Sequence, residues 1–119
     1  MTLLDQIRQA HLQLPPVLLE EVVRRVVAVA DPERIIVFGS AARGESRPGS
    51  DLDLLVIKEG DYHSRRLTAE LYRVLADLDR DTDIVVATPA QVERYKDSFC
   101  LVFYPATREG KVIYDKASL

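Results

Sequence analysis

Residues 35–57 read IIVFGSAARGESRPGSDLDLLVI, and the fold turns on how this stretch is read. The apolar run Ile35-Ile36-Val37-Phe38 stops abruptly at Gly39-Ser40. Ten mostly small, polar or charged residues follow, and Asp51-Leu52-Asp53 then runs straight into Leu54-Leu55-Val56-Ile57. Both apolar runs are short, rich in branched residues and bounded by turn residues, so each predicts a buried strand. Side chains alternate faces along a strand, which puts Asp51 and Asp53 on one face and Leu52 on the other. The strand they open is apolar on both faces. That predicts a central position and argues against a solvated turn before an edge strand. Adjacent carboxylates repel each other and lose hydration. A hard divalent cation with oxygen ligands is the natural neutraliser.

The glycine end of the stretch predicts a phosphate seat. Gly39 lets backbone come close to a ligand. Ser40 offers a hydroxyl and opens an expected short helix, Ala41-Ala42-Arg43-Gly44, whose N-terminal amides favour an anion. Arg43 and Arg47 add positive charge nearby. A phosphate seat facing a carboxylate pair across a hairpin-like connection is what metal-assisted phosphoryl or nucleotidyl transfer needs.

Upstream, Leu3, Leu4, Ile7, Ala10 and Leu14 fall at roughly helical spacing, so residues 1–14 predict a short helix or arm that packs on its own domain or on another chain. Pro15-Pro16 opens a second helix, with a wide apolar stripe of Leu19, Val22, Val23, Val26, Val27 and Ala30. Glu20–Arg24 and Glu21–Arg25 are spaced to pair on its other face, and Asp31-Pro32 ends it. Downstream, Asp61 is the expected cap of a helix from about Tyr62 to Leu78, which should bury Leu67, Leu71, Val74, Leu75 and Leu78. His11 reads as a surface or packing residue, and His63, Arg65 and Arg66 read as a solvated face. Ile84-Val85-Val86 predicts a third strand, and Asp83, unlike Asp77, Asp79 and Asp81, enters it directly. Thr88-Pro89-Ala90-Gln91 is a capping box. The helix it starts carries Val92, Tyr95, Phe99, Val102 and Phe103 as its stripe, with a kink or end at Pro105. Tyr95 and Tyr104 read as packing residues. Gly110 suits a helix stop, and Lys111–Tyr114 a last short strand.

The chain has 119 residues and 47% apolar content, which suits one domain with a real core, a single unit over 1–119 with 1–14 as its arm. The expected class is α/β (α+β): a small mixed sheet with helices mainly on one face. A formal net charge of −3 with interspersed signs does not suggest a surface for coating nucleic acid and leaves a local patch open. Cys100 is the only cysteine. It reads as a small buried hydrophobe, and the lack of a disulfide fits a reducing cytoplasm. The start of the chain lacks the pattern of a signal peptide, and no apolar run reaches the length of a membrane span.

Gly39-Ser40, Ala42-Arg43-Gly44 and Ser50-Asp51-Leu52-Asp53 resemble the signature of the polymerase-beta-like nucleotidyltransferases. At this length the chain is similar to their minimal members, the MNT proteins, over about residues 17 to 114. The resemblance implies the nucleotidyltransferase core and Mg²⁺-dependent transfer of AMP from ATP. By it, Asp51, Asp53 and a third carboxylate on a neighbouring strand hold the metal and carry catalysis. Asp83, in the context Asp83-Ile84-Val85, matches that third position, with Asp81 as the fallback. Gly39, Ser40, Arg43 and Ser50 would bind the nucleotide. MNT proteins are often antitoxins of HEPN-domain toxins, so the resemblance also implies a HEPN toxin as partner and a tyrosine of that toxin as acceptor. Homo-oligomerisation stays open.

A competing expectation is an antitoxin that neutralises by binding alone. The intact Asp51 and Asp53 argue against it, since their replacement would be the sign of lost chemistry. Transfer to a small molecule such as an aminoglycoside is a third reading, but the resembled enzymes of that kind usually carry helical segments this chain lacks.

Overall fold

A computed structural model describes residues 1–44, 51–96 and 108–119. In chain order the elements are α1 (Leu3–Gln9), α2 (Pro16–Ala30), β1 (Arg34–Phe38), β2 (Leu52–Ile57), α3 (Ser64–Leu75), β3 (Thr82–Ala87), α4 (Pro89–Tyr95) and β4 (Lys111–Asp115). A short 3-10 turn over Lys116–Ser118 follows β4.

The strands form one four-stranded sheet in the order β3-β2-β1-β4. β1 runs antiparallel to both β2 and β4, whereas β2 and β3 are parallel, joined by a crossover through α3. The mixed α+β sheet expected from the sequence is therefore present, and β2 is central. Leu54, Leu55 and Val56 are all fully buried.

The strand alternation divides the core in two. Ile35, Val37, Leu52, Leu54, Val56 and Ile84 face α1, α2 and α3, where Ile7, Leu19, Val22, Val23, Val26, Leu71 and Leu75 complete the main core. Ile36, Phe38, Leu55, Ile57 and Ala87 face the other way and form a smaller cluster, against which Val85 and Val92 pack. Three helices thus share one face, and α4 brings Val92 to the second.

Local signals explain most boundaries. Thr2 and Asp5 form a capping box on α1. Prolines open α2, and Asp31 ends it in the left-handed conformation, φ 43°, its N–H donating to the Val27 carbonyl. The Glu20–Arg24 and Glu21–Arg25 pairs form at 3.0 and 2.9 Å. Thr88 and Gln91 make the capping box of α4, with Pro89 at its first position. One cap differs from expectation. Helix α3 starts at Ser64, and the His63 Nδ1, not Asp61, accepts the Arg66 N–H at 3.1 Å. A neutral imidazole offers the same acceptor lone pair as an Asx or Ser cap.

The N-terminal helix packs on its own chain. Ile7, Ala10 and Leu14 join the main core. The buried Gln6 carboxamide works as a peptide rung at the edge of β4, donating to the Asp115 carbonyl at 3.0 Å and accepting the Asp115 N–H at 2.9 Å. Ser50, Arg47, Cys100, Phe99, Val102, Phe103, Tyr104 and Pro105 lie outside the described residues. No described helix is long and apolar enough to cross a membrane.

Candidate active site

The site is built where β1 ends and β2 and β3 begin. In the antiparallel pair Phe38 faces Asp53, and in the parallel pair Asp53 faces Asp83. Asp53, Leu55 and Ile57 alternate with the buried Leu52, Leu54 and Val56, so the Asp53 carboxylate stands on the smaller-core face, as the spacing predicted. β2 begins at Leu52, one residue later than expected. Asp51 is the exposed residue at its threshold, and the ladder there starts with Leu52 N–H donating to the Asp81 carbonyl at 2.8 Å.

Gly39 packs directly on the acid. A Cβ placed there would stand 2.0 Å from Asp53 Oδ2, and the residue has φ +72°. Space and backbone conformation therefore both demand glycine. The expected helix over 41–44 is instead a single turn. The Arg43 N–H donates to the Gly39 carbonyl at 3.2 Å, and the Gly44 N–H to the Ala41 carbonyl at 3.4 Å. Gly44, at the end of the turn, stands in the left-handed region, at φ +73°. Ala41 anchors the turn in the main core, while Ser40 is half-buried on it.

The environment of Asp53 disfavours its ionised form. Burial, repulsion by Asp83, hydrogen bonding to Asp83 and repulsion by Asp51 raise its pKa to about 6, against a smaller opposing pull from Arg43. Asp51, Asp53, Asp83, Gly39 and Arg43 are thus brought together. Asp81 is exposed and offers its backbone carbonyl to β2, so the strand register puts Asp83 opposite Asp53. Sequence reasoning missed the partner of Arg43, which reaches Glu109 Oε2 at 3.2 Å. The two lie 66 residues apart, and no local pattern connects them.

Among the described residues, no three His, Cys, Asp or Glu side chains form a ready metal cage. The donor set still fits Mg²⁺. That ion is commonly held by one or two carboxylates, with substrate phosphates and water completing its shell, and a dication offsets the repulsion that adds to burial in raising the Asp53 pKa. A cavity of about 570 Å³, lined by Arg34, Ile57, Pro89 and Val92 among others, lies at the opposite strand ends and contains none of these residues.

Comparison with known proteins agrees with this geometry. The family described as Polymerase beta, Nucleotidyltransferase matches residues 20–118. Among solved structures, a candidate nucleotidyltransferase from Sulfolobus solfataricus superposes with a TM-score of 0.60 at 19% identity, covering 98% of this chain and 91% of that one. A toxin–antitoxin structure with AMP-PNP gives 0.55 at 18% identity, covering 84% and 75%. A mutant of the toxin–antitoxin MntA–HpeT gives 0.59 at 17% identity with the same coverage. At these identities the structures show a shared fold. Among curated proteins there is no significant match.

Proposed function

This chain belongs to the Polymerase beta, Nucleotidyltransferase family, and from that premise we propose that it is an antitoxin-type protein adenylyltransferase. It moves AMP from ATP to a hydroxyl of a protein partner, a tyrosine of a HEPN-domain toxin in the cytoplasm. The observation that carries this reading is the contact of Asp53 with both Gly39 and Asp83. One group built for phosphate approach and two built for a cation share a single rim of the sheet. The toxin–antitoxin assemblies among the structural neighbours, one with AMP-PNP, support the choice of acceptor class.

Asp51, Asp53 and Asp83 would hold Mg²⁺, which when bound supplies charge neutralisation to the triphosphate. Gly39 and Ser40 seat the terminal phosphates on the turn that follows β1, and Arg43 offsets charge on the departing group. The acceptor oxygen attacks the α-phosphorus. The bond from that phosphorus to the bridging oxygen breaks, and pyrophosphate leaves with the electron pair. Asp83, exposed at the rim, either completes a second metal site or acts as base toward the attacking hydroxyl.

The test is the intact mass of the co-purified partner before and after incubation with Mg·ATP. Gain of one or more AMP units is expected. Asp83→Ala should lose far more activity than Asp81→Ala, because residue 83, not 81, faces Asp53 in the parallel ladder. An active Asp83→Ala beside a dead Asp81→Ala would move the third carboxylate by two residues.

A further inference from the structure

Among the described residues strand β3 is an edge strand, with β2 as its neighbour in the sheet. Its placement matters because it carries Asp83 opposite Asp53. In a parallel ladder alternate N–H groups point away from the neighbouring strand, and an edge strand leaves those groups without a ladder partner. One of them is taken up here. The Ile84 N–H donates to the Tyr72 hydroxyl at 2.9 Å, although Tyr72 stands on α3, twelve residues back in the chain. Leu71 and Leu75 of the same helix are fully buried in the main core. Tyr72 therefore projects from a fixed shoulder, 40% exposed itself, and reaches the Ile84 N–H on the side of β3 away from β2.

The bond falls on a particular peptide group. The Ile84 N–H belongs to the same planar unit as the Asp83 carbonyl. Holding that plane fixes the backbone on the C-terminal side of Asp83, and with it the direction in which the Asp83 side chain leaves the strand. On the other edge of the sheet the Gln6 carboxamide ties down Asp115, but that bond lies at the strand end remote from the acids. The bond from Ile84 to Tyr72 adjoins them.

We propose that Tyr72 is a positioning residue for the acidic site, acting through the peptide between Asp83 and Ile84. It keeps the Asp83 carboxylate facing Asp53. This rests on the nucleotidyltransferase reading for its kinetic consequence, whereas its consequence for cation binding does not require transfer to occur. Removing one oxygen, in Tyr72→Phe, leaves the ring and the helix in place and frees the edge of β3. Groups that orient a ligating residue without touching the ion are commonly worth on the order of ten- to a hundred-fold in metal affinity or activity.

The experiment compares the full-length parent with Tyr72→Phe in three readouts: exchange of the Ile84 amide, Mn²⁺ affinity without nucleotide, and transfer kinetics. The inference expects faster Ile84 exchange and Mn²⁺ binding weakened about tenfold. It also expects a comparable fall in kcat, with KM for ATP unchanged because the Gly39–Arg43 turn is untouched. A merely structural tyrosine would lower the melting temperature and leave Mn²⁺ affinity and kcat of the folded protein where they were. That result, or an Ile84 amide indifferent to the substitution, overturns the proposal. If the parent transfers no AMP to any acceptor, the functional reading fails and Mn²⁺ affinity alone decides on Tyr72. A parent that binds no Mn²⁺ leaves no acidic site to position, and the proposal falls with it.

Discussion

The two faces of strand β2 are made from alternate residues of one hexapeptide, yet they do opposite work. Leu52, Leu54 and Val56 point into the helical layer and are at most 1% exposed. Asp53, Leu55 and Ile57 point the other way, where a smaller apolar cluster holds the strand down and leaves its first position to a carboxylate. The first face gains from burial at each step. The second includes a charge pressed against Gly39 and opposed by Asp83, an arrangement that costs stability and suits a ligand. The strand shows how a fold keeps an unfavourable group: the adjacent residues hold it in place. Substitutions of Leu54 on the first face and of Asp53 on the second should therefore have opposite signs.

The largest effect belongs to the helical face. Leu54→Ala should destabilise by about 3 kcal/mol, the usual loss for a fully buried leucine whose surroundings cannot collapse. Urea unfolding monitored by circular dichroism measures it. A change under about 1 kcal/mol would mean that this face is not the stabilising one.

Next is Gly39→Ala. The new Cβ meets Asp53 Oδ2 in a residue already at φ +72°, and the backbone strain alone is worth about 1–2 kcal/mol. The loss should shrink in the double variant with Asp53→Ala, where the carboxylate is gone. Equal losses in both backgrounds would show that the close contact is not what requires glycine.

Smallest, and opposite in sign, is Asp53→Asn. Its folded pKa of about 6 lies above the ordinary 3.8, so the folded state favours the protonated acid. The parent, without divalent metal, should hold this contribution in full below pH 4, lose it as pH rises from about 4 to 6, and level off above. Asn carries no charge, so the variant should lack that decline and be more stable at pH 7. Solvent screening of a half-buried group limits the gain to roughly 1–2 kcal/mol. Thermal melts at pH 4, 5, 6 and 7 in EDTA read it directly. Parallel curves for parent and variant would remove the electrostatic stress from the account.

Much of this contrast was legible in the sequence because alternation is a period-two signal. Leu52 against Asp51 and Asp53 settles which residues face together before any sheet is known. The helix stripes, the capping box at Thr88 and the proline start of α2 were legible for the same reason, each being a local pattern. Contacts between distant segments were not. Arg43 meets Glu109, and Gln6 meets Asp115, only because β4 returns beside β1. Asp83 was picked out by its place at the start of an apolar run, but its partnership with Asp53 depends on the parallel register. The turn over 41–44 was misread as a helix because composition does not reveal that Gly44 turns left-handed. His63 took the capping role expected of Asp61, since either side chain can accept the bond and tertiary placement chooses.

The central claim is that the acidic face serves chemistry and the rest of the domain serves to hold it. Intact-mass spectrometry of the partner, co-purified with the parent or with Asp53→Asn and incubated with Mg·ATP, tests this in one measurement. The account predicts that both proteins retain the partner, that only the parent adds AMP to it, and that the variant leaves its mass unchanged. A partner that gains AMP equally with Asp53→Asn, or gains none with either while both protect cells alike in growth, would contradict it and leave neutralisation by binding alone.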